Sequence, residues 1–292
     1  MTDLAEIVAA WFLGFAVCTG LWRGSRRIFA GYVFQRHNYR DHPLPTAVGL
    51  LIPLAAAAVV GAHVAIFDVG RSLFGPQSTG WAALTEWGPR TIEIAVAFAF
   101  LGLLDDLGGV GESGGFTGHV RALIEGRITT GLIKMVGGPF VALAILSGEG
   151  TSGRVGFLRD AAVVCLAANL ANLFDRAPGR VDKVGQLAMV VLAVSTLDAR
   201  LVPVAVVLGA AGALLGGDLR EIYMLGDAGS NVIGAVLGVG IVAATTETQR
   251  WILLVVLLAF NAGSEFVSFS KVIDSVGVLR VLDRFGSPHR RT

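Results

Sequence analysis

Apolar residues fall into nine runs separated by short polar breaks, at about 4–22, 46–67, 91–105, 128–147, 157–174, 184–198, 201–217, 230–245 and 251–267. A helix needs about 20 apolar residues to cross the hydrocarbon core of a bilayer, so the shorter runs must recruit their flanks. The pattern predicts an all-α, polytopic helical membrane protein of nine or ten transmembrane helices. It forms a single integral membrane domain over residues 1–292. The narrowest division lies between 184–198 and 201–217, where Asp198-Ala199-Arg200 alone interrupts the apolar sequence.

Composition supports the same class. The chain is 54% hydrophobic and 15% charged, against about 25% charged in an ordinary soluble domain. The deficit runs through the whole chain rather than one segment. Net charge is +1, with no basic arm of the kind that grips nucleic acid. Cys18 and Cys165 lie inside apolar runs without ligand-like spacing and read as small core residues. The first residues are acidic and the first basic one is Arg23, the reverse of a secretory signal, so the first run is expected to be a retained span.

Charge also orients the chain. Loops 23–45, 105–127, 175–183, 218–229 and 268–292 hold 16 of the 23 Lys and Arg residues. By the positive-inside rule this side is cytoplasmic, which puts the N-terminus outside and the C-terminus inside.

Polar residues with chemical potential gather on that same side. Asp105 and Asp106 end one apolar run, and adjacent helix positions diverge by about 100°, so the pair either marks a helix end where it meets water or has one carboxylate for a metal and the other for a second partner. Asn169, Asn172 and Asp175 recur at i, i+3 and i+6, which predicts a polar stripe suited to a sugar, a nucleotide or a metal-bound water, or to helix–helix contact. In Leu225-Gly226-Asp227-Ala228-Gly229-Ser230-Asn231, Ser230 or Asn231 is expected to cap a helix beside a carboxylate, an arrangement that suits either an ordinary capped turn or a Mg²⁺–phosphate unit. Lys134, about two turns into its run, must snorkel or meet an anion. Arg36-His37-Asn38-Tyr39-Arg40 suits headgroup anchoring. Gly109-Val110-Gly111-Glu112-Ser113-Gly114 follows a span rather than a strand and reads as a loop, not a dinucleotide site.

These motifs, in their order, resemble the polyprenyl-phosphate N-acetylhexosamine-1-phosphate transferases, the superfamily that includes the phospho-N-acetylmuramoyl-pentapeptide translocase. Asp105-Asp106, Gly118-His119 with Ala122-Leu123, Thr129-Thr130-Gly131 with Lys134, Asn172 with Asp175, and Gly226-Asp227-Ala228-Gly229-Ser230-Asn231 carry the likeness over nearly the whole chain. It implies transfer of a sugar-1-phosphate from a UDP-amino sugar to polyprenyl phosphate lipid, with release of UMP. Mg²⁺ is implied, with Mn²⁺ as a substitute, on the cytoplasmic face of the plasma membrane; homodimers occur in the family.

Carried over by position, Asp105 and Asp106 are the catalytic pair, and Asp227 with Asp106 holds the metal. Asn38, Arg40, His119, Lys134, Asn169, Asn172 and Asp175 are expected at substrate. Pro178 stands where the translocase branch has a second aspartate, which leaves Arg176 or Arg180 to bind phosphate. The shorter C-terminal region resembles a branch that initiates other cell-envelope glycans. Two other classes are compatible with the residues: a transporter using the aspartates as an ion relay, and a family member without catalysis.

Overall fold

The computed structural model describes residues 2–74, 79–108, 116–147 and 153–290. In chain order the helices and strands are α1 (Thr2–Phe29), β1 (Gln35–His37), β2 (Pro43–Pro45), α2 (Leu51–Phe74), α3 (Thr79–Glu86), α4 (Gly88–Gly108), α5 (Phe116–Ile124), α6 (Thr130–Leu146), α7 (Gly153–Phe174), α8 (Arg180–Thr196), α9 (Val202–Leu219), α10 (Asp227–Ala244), α11 (Glu247–Ser264), α12 (Phe269–Ser275) and α13 (Gly277–Arg284). Each of the nine apolar runs coincides with one of these helices. The chain is thus an all-α membrane-embedded protein, with one small hairpin that the hydrophobic pattern did not predict.

Five described helical segments are long and apolar enough to cross a membrane: 3–29, 48–66, 153–174, 199–219 and 227–244; α11 and α12 make a sixth if their 91° bend lies within one span. The expected count of nine therefore rests on shorter or more polar helices. Both α6 and α8 have 17 residues, and α4 carries Arg90 and Glu93 near one end and Asp105 and Asp106 near the other.

Local chemistry sets the breaks. Between α8 and α9, Leu197 takes the left-handed conformation, and the Asp198 carboxylate accepts from the Arg200 backbone N–H at 2.8 Å. Thr246 and Gln249 form a capping box that starts α11.

The bundle is built around α10. In its apolar window 78% of residues are buried, against 22% in α1, which fixes the first as central and the second as peripheral. The α10 helix packs on α4, α7, α8 and α9. Gly102 lets α4 approach the start of α10 closely, because a Cβ there would overlap the Asp227 backbone.

The hairpin pairs Gln35 with Pro45, Arg36 with Leu44 and His37 with Pro43. Its second strand runs on into contact with the segment before α10. The Met224 N–H donates to the Pro45 carbonyl at 2.8 Å, and the Gly49 N–H donates to the Leu225 carbonyl at 3.0 Å.

Candidate functional site

Four helix ends meet at the side of the bundle that carries the hairpin. The last turns of α4 supply Asp105 and Asp106, the first turns of α6 supply Thr130 and Lys134, the last turn of α7 supplies Asn172, and the first turn of α10 supplies Asp227. The spacing of Thr130 and Lys134 at i and i+4 puts both on one face of α6. That helix starts where it does because the Thr129 side chain accepts from the Leu132 N–H at 3.1 Å.

The contacts form one network. Thr130 donates its hydroxyl to Asp105 Oδ1 at 2.5 Å, and Lys134 Nζ donates to Asp105 Oδ2 at 3.1 Å. The same ammonium is paired with Asp227 Oδ2. Asn172 Nδ2 donates to Asp227 Oδ2 at 2.6 Å and to Asn231 Oδ1 at 3.2 Å. Lys134 Nζ thus bridges the Asp105 and Asp227 carboxyl groups. Lys134, Asp105 and Asp227 are 21%, 28% and 24% exposed, so the network is shielded yet open on one side.

Asp106 diverges from Asp105, as adjacent helix positions must. Its Oδ1 accepts from the Asp227 N–H at 2.9 Å and its Oδ2 from the Ala228 N–H at 3.0 Å. It is the cap of α10, supplied from another helix. This corrects one expectation. Neither Ser230 nor Asn231 caps that helix, which begins earlier, at Asp227, because Asp106 satisfies the first free amides. Asp106, expected as a metal ligand, accepts one backbone N–H on each oxygen and keeps a further lone pair on each, and Asp105 is the member of the pair that meets Lys134. Gly226 has φ +72°, and a Cβ on it would run into the Asp106 carboxylate, so the tight turn and the borrowed cap require glycine.

The other expected residues divide. Asp175, one residue beyond α7, lies among acids: burial, then Asp218, Asp227 and Asp106, push its carboxyl well above the ordinary carboxylate range, against the opposing pull of Arg176. Asn169 leaves the stripe, donating to Asn261 Oδ1 on α11 at 2.6 Å. Positions i and i+6 differ by about 120° around a helix, so the stripe cannot remain on one face. Arg180 is buried in a paired contact with Asp283, at 2.7 and 3.0 Å, and donates to Ser270 Oγ at 2.8 Å. It anchors α13 to α8 rather than facing a phosphate. Arg176 is exposed beside Asp175.

Asn38 and Arg40 also lie away from the acids. Asn38 Nδ2, the Tyr39 hydroxyl and Arg40 Nη1 all donate to the Glu221 carboxylate, at 2.8, 2.9 and 3.2 Å. His119 falls on α5, but its side chain and the whole Gly109–Gly114 motif lie outside the described residues. Glu221 was not singled out from sequence, and Thr130, Asn231 and Arg36 were named only within motifs, Asn231 as a helix cap and Arg36 as a headgroup anchor. Only Thr130 carried a usable signal, its i, i+4 relation to Lys134.

The donor set offers a divalent cation few protein ligands, so other groups would have to complete its shell. Asp105 and Asp227 converge on one Lys134, and Asp106 lies beside them on the first amides of α10. Among the described residues no three His, Cys, Asp or Glu side chains are arranged to enclose a metal by themselves. Mg²⁺ is commonly bound in this incomplete way, by one or two carboxylates with phosphate oxygens and waters completing the octahedron. Comparison of the sequence with protein-family models and with curated proteins gave no match.

Proposed function

We propose that the chain is a phosphoglycosyltransferase. It transfers a sugar-1-phosphate, N-acetylhexosamine-1-phosphate by resemblance, from a UDP-sugar to polyprenyl phosphate and releases UMP, as the first step of a cell-envelope glycan. The observation that carries the reading is the convergence of Asp105, Asp227, Asn172, Thr130 and Lys134 at four helix ends on the side of the bundle rich in Lys and Arg. The same charge asymmetry favours a site on the cytoplasmic face, and the resemblance points to the plasma membrane.

In this reaction an oxygen of the lipid phosphate attacks the β-phosphorus of the UDP-sugar, and the bond from that phosphorus to the bridging oxygen breaks, leaving UMP. Two anions must approach each other. Mg²⁺ held by Asp105 and Asp227 would neutralise the diphosphate and the charge that develops on UMP.

The protein's own groups supply the rest. Lys134, already between the two carboxylates, exchanges one of them for a phosphate oxygen. Thr130 fixes the rotamer of Asp105, which orients the lipid phosphate or accepts its proton. Asn172 holds Asp227 and presents an amide to polar groups of the nucleotide sugar. Asp106 acts through the backbone by fixing where α10 begins.

The test is purified protein with undecaprenyl phosphate, Mg²⁺ and a panel of UDP-amino sugars, scored for UMP release. Asp227→Asn should abolish turnover and leave the protein folded. Absence of UMP with every donor, under conditions where a related transferase works, sinks the reading. Cation uptake by proteoliposomes in its place would favour the ion-relay alternative.

A further inference from the structure

The hairpin and the segment after it touch both elements that carry the acids, the end of α4 and the turn before α10, without contributing to the cluster. On one side, Arg36 of β1 donates from Nε to the Asp106 carbonyl and from Nη2 to the Leu107 carbonyl, each at 3.1 Å. These are among the free carbonyls at the end of α4, and a guanidinium there satisfies two acceptors and opposes the negative end of the helix dipole. On the other side, Asn38, Tyr39 and Arg40 converge on Glu221, whose side chain is 6% exposed and which sits at a strained φ of +54° in the turn between α9 and α10. Between them, the Pro45–Gly49 backbone pairs with Met224 and Leu225, immediately before Asp227.

We infer that the β1–β2 hairpin is a clip that sets the spacing between Asp105 and Asp227, with Arg36 and Glu221 as positioning residues; what that spacing serves rests on the metal-site reading above. The route is mechanical. Arg36 holds the end of α4, Asp106 at that end holds the amides of Asp227 and Ala228, and Glu221 ties the preceding turn back to the hairpin. The loop closes on itself. Removing Arg36 should therefore loosen amides that it does not touch.

Hydrogen exchange on the full-length protein in detergent reads this. Arg36→Ala and Glu221→Ala should each speed exchange of the 224–228 amides about tenfold, the scale of losing one charge-assisted hydrogen bond. Arg36→Lys, which keeps a donor, should restore part of the protection. Wild-type exchange rates at 224–228 in Arg36→Ala overturn the clip, as does faster exchange spread evenly over all helices, the mark of a general loss of stability.

Mn²⁺ binding followed by electron paramagnetic resonance is the second arm. Weaker Mn²⁺ binding in Arg36→Ala, alongside the exchange effect, supports the clip as setter of the metal site. If the wild-type protein binds no Mn²⁺ while Arg36→Ala still speeds exchange, the clip stands and the metal reading falls.

Discussion

Lys134→Met removes the ammonium from between Asp105 and Asp227 while keeping most of the side-chain volume. Deleting one partner of a fully buried ion pair costs about 3–5 kcal/mol, because the other charge is left without compensation. Here the three side chains are 21–28% exposed, and solvent screening trims that cost to about 2–3 kcal/mol. The loss should depend on the metal. A ligand at 100 times its dissociation constant stabilises the state that binds it by about 2.7 kcal/mol. Mg²⁺ at such a concentration should therefore recover most of the deficit. Wild type should gain less, since the ion must displace an ammonium already in place.

The assay is thermal unfolding in detergent, followed through the five tryptophans, in EDTA and across a Mg²⁺ titration. The expected result is a variant less stable than wild type in EDTA and nearly level with it at high Mg²⁺. Equal stability of the two proteins in EDTA would refute the charge argument. A deficit that neither Mg²⁺ nor Mn²⁺ reduces would refute the cation site.

Three other outcomes follow from the same geometry. Asp175→Asn should stabilise the protein in EDTA at about pH 8 and leave it unchanged at about pH 4. A carboxyl whose folded pKa is raised loses stability as pH climbs through its unfolded value towards its folded one, and the amide has no such loss; a melting temperature unaffected by pH in the comparison contradicts the burial argument. Asn169→Ala should leave UMP release within about twofold of wild type and cost about 0.6 kcal/mol, the usual worth of an interhelical hydrogen bond in a membrane; a collapse in turnover would return Asn169 to the substrate site. Arg180→Ala should lower stability by about 3–5 kcal/mol as its buried partner Asp283 is stranded, and the double variant with Asp283→Ala should lose less than the sum of the two single losses, so strict additivity would deny the pairing.

The class, the helices and much of the cluster were legible in the order of residues. Apolar runs predicted the helices because a segment in lipid must satisfy its own backbone hydrogen bonds, and the break at Asp198-Ala199-Arg200 was legible because Asp198 caps locally. Asp105, Lys134, Asn172 and Asp227 stood out because charged and amide groups at the edge of an apolar run are costly without a purpose.

Side-chain directions and partners came from the packing of the helices. Asp105 and Asp106 have the same local sequence environment, and the position of α10 alone makes the second a cap and turns the first towards Lys134. Asn169 and Asn172 differ by three residues, yet one faces α11 and the other Asp227, since three residues fall short of a full helical turn. Arg180 looked free for a phosphate until α13, about a hundred residues later in the chain, brought Asp283 to it. The hairpin was invisible to hydrophobic periodicity because its strands have three residues each and bury little. Its grip on both helix ends depends on contacts between segments 70 to 183 residues apart, which no local pattern encodes.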